Sequence, residues 1–194
     1  MLNMRILLID DTAQKLGRLK TALSEAGFEV IEESGLVIDL PKRVEVLCPD
    51  VILIDSESPG RDVLAQVVQV SRDQPRPIVL FTDEQDPGVM RQAIRSGVSA
   101  YIVAGIQAAR LQPILDVALA RFESDQALRA QLHEREAQLA ERKRIELAKG
   151  LLMKMKGCNE EEAYTLMRRQ AMSRQQKLIQ VAEQVIAMSD LLGS

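Results

Sequence analysis

Three carboxylates stand at the ends of apolar runs. Asp10 and Asp11 follow Met4–Ile9, and Asp55 follows Val51–Ile54. Acids gathered at one edge of a sheet repel one another, and a hard divalent cation bound through oxygens and water relieves that repulsion. A carboxylate nearest such a cation can act as the nucleophile in phosphoryl transfer, and Asp55 is the candidate. Thr82 follows a further apolar run, Pro77–Phe81, and can donate a hydrogen bond to an added phosphoryl group. Taken singly, each of these residues also reads as a solvated loop residue. Four of them, each at a strand end, form a set.

The second constellation is cationic. Between positions 142 and 177, ten Lys and Arg stand against four Glu, a net of +6. Residues 1–120 hold twelve basic and seventeen acidic residues, a net of −5, and the whole chain carries −3. A net-acidic chain with a basic tail is polarised, and clustered cations attract phosphates in a salt-sensitive way. Lys149, Arg168, Arg169, Arg174 and Lys177 are the candidate contacts. The plain alternative is that they are the ordinary solvated faces of helices.

Composition excludes other chemistry. The one histidine, His133, lies in a charged stretch, so a multi-histidine metal site or catalytic centre is ruled out. Cys48 and Cys158 are too few and too far apart for a disulfide framework or a Cys-only zinc site, and are expected to be small buried thiols in a reducing compartment. Aromatic residues make up 3% with no Trp, which argues against an extended stacking platform for single-stranded nucleic acid. No apolar run approaches the ~20 residues of a membrane span, and the start carries no signal-peptide pattern. A cytoplasmic protein without membrane contact is expected.

The elements that must position these residues follow from periodicity. Met4–Ile9, Phe28–Ile31, Val51–Ile54, Pro77–Phe81 and Ala100–Val103 read as strands. Gln14–Ala26, Ile38–Leu47, Arg61–Arg72 and Pro87–Arg95 read as helices between them, with Gly27 and Gly97 as stops. Apolar strands alternating with helices predict a doubly wound, five-stranded parallel sheet, with ligands at the carboxyl ends of its strands. From Gln107 to about Met155 the sequence predicts one long helix, with Pro113 in its first turn or at a kink. Residues 121–146 are rich in strong helix formers, and Leu128, Leu132 and Leu139, with Arg135 and Arg142 at the other positions, keep a heptad-like but polar seam for a dimeric coiled coil, the alternative being a solvated linker helix. Asn159 is expected to cap a second tail helix, with Glu160, Glu161 and Glu162 in its first turn, and Ser173 a third. The helices are expected to bury Leu166, Met167, Leu178 and Val181, and Met153, Met155 and Met172 are expected to pack in the core. The resulting organisation is 1–120, an α/β domain; 121–142, a coiled-coil linker; and 143–194, an all-α three-helix bundle.

The first half resembles the CheY-like receiver domain of two-component response regulators. The matches are Ile9-Asp10-Asp11, Asp55 with Pro59-Gly60 and Asp62 after it, Thr82 and Tyr101. The resemblance implies Mg²⁺ at Asp10, Asp11 and Asp55, phosphorylation on Asp55, and a switch role for Thr82 and Tyr101. One departure stands out. Receivers carry a lysine, then a proline, where this chain has Ala104 and Gly105. Without that lysine a phosphorylated Asp55 is deprived of a charge-assisted hydrogen bond.

The second half resembles the ANTAR RNA-binding domain. The resemblance runs through Ile145–Met153, Gly157–Tyr164, Leu166–Met172 and Leu178–Val185. The small residues Ala148, Gly150, Ala163, Ala171 and Ala182 fit a close approach of three helices. Receiver, coiled coil and ANTAR together resemble the AmiR/NasT family of antitermination regulators. Glu33-Ser34-Gly35, Asp39-Leu40-Pro41 and the Asp55–Asp62 stretch are most similar to its NasT type, the regulators of nitrate and nitrite assimilation. That resemblance implies a homodimer that binds tandem stem-loops in leader mRNA and prevents a terminator from forming. It also implies a nitrate-sensing partner of the periplasmic-binding-protein type that holds the regulator inactive. The alternative is a phosphorylation-switched DNA-binding response regulator, since Met172–Gln175 can supply a helix-turn-helix turn. A third reading, a phosphatase-like enzyme, lacks a general base beyond the carboxylates.

Overall fold

The structure, a computed structural model, describes residues 4–10, 20–34, 39–103 and 108–192. Asp11, Leu16, Leu19, Gly35, Ala104 and Gly105 lie outside the described residues. The chain divides into two compact units, Met1–Gln126 and Ala127–Ser194.

The first unit is built on strands β1 (Arg5–Asp10), β2 (Glu29–Ser34), β3 (Val51–Asp55), β4 (Ile78–Thr82) and β5 (Ala100–Val103). They form one parallel sheet in the order β2-β1-β3-β4-β5. Successive residues of a strand point to opposite faces, so continuous apolar runs supply two cores at once. Leu7, Ile9, Ile52, Ile54, Ile78 and Leu80 face one side and pack against helices α2 (Leu40–Leu47), α3 (Arg61–Asp73) and α4 (Pro87–Arg95). Ile6, Leu8, Val51, Leu53, Val79 and Phe81 face the other, against Leu23 of α1 (residues 20–25) and Leu111, Leu115 and Ala118 of α5 (Ala108–Lys156). This is the doubly wound sheet the sequence predicts. Truncating one of the fully buried residues, such as Leu53→Ala, costs about 2–5 kcal/mol.

The strands end one residue later than expected at the sites of interest, so Asp10 and Asp55 are the last residues of β1 and β3 rather than the first beyond them. After α4 the chain turns through Gly97 at φ +107°, where a Cβ would also collide with the Ser71 side chain. Cys48 is exposed, in the left-handed C-cap position of α2, and Cys158 is half-buried; neither is the buried thiol expected. Pro113 sits within α5, past its first turn.

The second unit packs the last turns of α5 with α6 (Glu160–Arg174) and α7 (Leu178–Leu192). Asn159 caps α6 as predicted: its side chain accepts from the Glu162 N–H at 2.9 Å, and the Glu162 carboxylate accepts from the Asn159 N–H at 3.0 Å. Gly157, at φ +64°, ends α5 with its N–H donating to the Met153 carbonyl. Ser173 does not cap α7. It lies inside α6, which continues to Arg174 and ends at Gln175 in the left-handed conformation. Lys177 precedes α7, and its backbone N–H donates to the Gln180 side chain, Oε1, at 2.9 Å. The core is Ala148, Met167, Ala171, Val181 and Ala182, with Ala163 also fully buried. Small residues thus hold the helices close, except Gly150, where a Cβ would meet open space.

Candidate phosphoryl pocket and nucleic-acid interface

Asp10 and Asp55 are Cα partners on adjacent parallel strands, so their side chains leave the same edge of the sheet at the same level. Asp10 is almost fully buried and Asp55 is half-buried. Two side-by-side carboxylates offer only oxygen donors, which is the chemistry a hard divalent cation takes. Thr82 is buried at the end of β4. Its hydroxyl donates to the Glu57 carbonyl at 3.0 Å and accepts from the Glu84 N–H at 3.1 Å. The Tyr101 hydroxyl donates to the Glu84 carbonyl at 3.1 Å. Thr82 and Tyr101 therefore hold the two sides of one residue in the loop after β4. Partial burial, and next the Glu84 carboxylate nearby, push the Tyr101 phenol above its usual range, so it stays a proton donor.

The cationic candidates of the tail divide into two groups. Arg168, Arg169, Arg174 and Lys177 are exposed around the end of α6 and the turn into α7. Among the described residues, Arg168 and Arg169 make no ion pair or hydrogen bond through their guanidinium groups. Arg174 receives only a neutral partner: Gln170, with its amide oxygen turned toward it, accepts from Nε at 2.7 Å and from Nη2 at 3.1 Å. No carboxylate among the described residues pairs with any of the four.

Lys149 does not belong with them. Only 8% of it is exposed, and its Nζ is 2.8 Å from Glu146 Oε2 and 2.7 Å from Glu160 Oε1. Charge and helical spacing mark Lys149 as a cation but do not reveal two acids arranged to neutralise it. The apolar expectations also change. Met167 is buried as predicted, whereas Leu166 is 44% exposed and Met153, Met155 and Met172 are exposed. The contact stripe of α6 is Ala163, Met167 and Ala171, four residues apart, and leaves Leu166 and Met172 to its flanks.

The seam residues Leu128, Leu132 and Leu139 are all more than half exposed in the single chain, and every residue around them from 127 to 144 is exposed. No group of three or more His, Cys, Asp or Glu side chains able to hold a metal occurs among the described residues, which do not include Asp11. No helix of the described residues is long and apolar enough to cross a membrane.

Residues 126–186 match the ANTAR domain family. The transcriptional regulatory protein PdtaR of Mycobacterium tuberculosis is 30% identical over 182 residues, covering 94% of this chain and 89% of that protein. The aliphatic amidase regulator of Pseudomonas aeruginosa is 28% identical over 109 residues, 56% of each chain. Among solved structures, the signal receiver domain of NarL from Mycobacterium tuberculosis superposes with a TM-score of 0.53 at 23% identity, covering 60% of this chain and 96% of that one, a likeness of fold.

Proposed function

Because the chain belongs to the family of response regulators that join a receiver domain to an ANTAR domain, we propose that it is an RNA-binding transcription antitermination regulator. As a cytoplasmic homodimer it binds tandem stem-loops in leader mRNA and keeps a terminator hairpin from forming. It acts by binding and not as an enzyme. The observation that carries this reading is the pair of exposed guanidinium groups, Arg168 and Arg169, which make no ion pair or hydrogen bond among the described residues, beside Arg174 and Lys177. These cations engage loop bases and phosphates of a folded RNA, whose unpaired loops are the parts open to reading. Lys149 instead holds α5 to α6. The exposed Leu128, Leu132 and Leu139 support dimerisation through α5, since an unpartnered helix gains little stability in water.

The receiver supplies the input. Asp10 and Asp55, with Asp11, would hold Mg²⁺, which when bound offsets the repulsion of the carboxylates and favours phosphorylation of Asp55. Thr82 then exchanges its bond to Glu57 for one to the phosphoryl group, and Tyr101 follows the loop that both residues grip. The absence of a lysine at Ala104 weakens this route, and the principal signal is a nitrate-sensing partner of the periplasmic-binding-protein type. The NasT-like segments at Glu33-Ser34-Gly35, Asp39-Leu40-Pro41 and Asp55–Asp62 support that partner and nitrate/nitrite assimilation genes as targets. The test is binding of the chain to candidate leader RNA, with and without such a sensor and with and without nitrate. RNA binding that the sensor blocks and nitrate restores is expected. Binding that ignores both removes the nitrate-sensing partner from the account.

A further inference from the structure

Tyr164 is 42% exposed on α6, and its hydroxyl makes no hydrogen bond among the described residues. Residues four apart on a helix are neighbours on one face. Tyr164, Arg168 and Met172 therefore form a single stripe, beside the buried stripe of Ala163, Met167 and Ala171. Met172 is 70% exposed. An aromatic ring, a guanidinium without a partner among the described residues and a polarisable thioether thus lie in series on the surface. Burial against the bundle would favour Tyr and Met, yet the alanines take the contact and leave both outside. The net positive charge of the surrounding segment selects an anionic occupant, and Arg169 and Lys177 lie exposed nearby.

We propose that Tyr164 and Arg168 form a ledge for one unpaired base of a bound RNA, a purine by preference because it offers the larger face. The ring of Tyr164 stacks on the base, and Arg168 pairs with the phosphate beside it. Met172 lengthens the apolar edge of the ledge. This inference rests on the RNA-binding reading and deepens it by naming what one flank of α6 reads. The few aromatic residues of the chain cannot track a single strand base by base, but one ring suffices for one loop base held out by a stem.

The test uses the full chain and a hairpin RNA selected by it from a pool with a fixed stem and a randomised loop. A fully paired duplex of the same stem is the comparison. Tyr164→Ala is expected to weaken hairpin binding by about 5- to 150-fold, the range of one stacked base. It is expected to leave the slope of log affinity against log salt unchanged. Tyr164→Phe keeps the stacking face and is expected to bind like the wild type. Arg168→Ala is expected to lower the salt slope by about 0.7. The chain has two Tyr and no Trp, so hairpin binding is expected to quench tyrosine emission in the wild type, with that quench lost in Tyr164→Phe and absent with the duplex. Wild-type affinity in Tyr164→Ala, or an equal quench in Tyr164→Phe, overturns the ledge while leaving RNA binding in place. Failure of the wild type to select any hairpin overturns the RNA reading and the ledge with it. If Tyr164→Ala does not fold, the quench difference between wild type and Tyr164→Phe decides.

Discussion

Lys149 Nζ lies 2.7 Å from Glu160 Oε1, and so joins the last turns of α5 to the first residue of α6. Hydrogen bonds to Glu146 first and Glu160 second raise the Lys149 ammonium above its usual range, and Lys149 holds the Glu160 carboxyl below its own. A carboxyl whose folded value is depressed stabilises the fold above its unfolded value and loses that contribution as pH falls through the folded one. A lysine whose folded value is raised contributes below its unfolded value and loses that contribution as pH rises through the folded one. The pair therefore stabilises the second unit throughout the neutral range. Melting curves across acid pH are expected to show a smaller pH dependence for Glu160→Gln than for the wild type. Parallel curves for the two would contradict the pair's role.

Arg168→Ala combined with Arg169→Ala is expected to weaken RNA binding. Its salt dependence should flatten by ~0.7–0.9 in slope for each phosphate that is no longer neutralised. Both residues are exposed, so helix content and melting temperature should stay close to wild type, within ~0.5 kcal/mol. Circular dichroism and a binding series over salt check the two halves of the prediction. Unfolding together with failure to bind would make these arginines structural.

The seam can be tested in the full chain. Leu132→Glu with Leu139→Glu places like charges on an exposed helix face, where they should not disturb either core. A dimer in the wild type and a monomer in the variant, by light scattering, is the expected result. A variant that stays dimeric moves the interface away from α5.

Much of the first unit was legible because buried parallel strands are continuous apolar runs, and their ends announce where Asp10 and Asp55 must stand. The pairing of those two residues follows from neighbouring β1 and β3. The tail was less legible. Three small bundled helices can turn either flank inward, and Ala163 and Ala171, weak signals in a hydrophobic pattern, take the contact that Leu166 and Met172 advertise. Ser173 has the chemistry of a cap, but the left-handed Gln175 that ends α6 carries no strong sequence mark. Lys149 reads as one cation among ten until Glu146 and Glu160 are seen beside it. Tyr164 stands in a chain so poor in aromatic residues that composition alone argues against stacking, and only its exposure next to Arg168 singles it out.

Asp55→Asn should leave antitermination largely intact, because Ala104 replaces the lysine that would stabilise a phosphoryl group. A leader–reporter fusion in cells is the readout. Complete loss of induction, at normal protein level and with normal RNA binding, would instead establish a phosphorylation switch.

The central claim is that the exposed cations at the end of α6 serve RNA. The most direct measurement is a gel shift of the full chain against leader RNA and against promoter DNA of the same operon, at equal salt. The account predicts a complex with the stem-loop RNA that resists excess duplex DNA. Preferential binding to promoter DNA, displaced only weakly by the RNA, would contradict it and make the α6–turn–α7 pair a DNA-reading device.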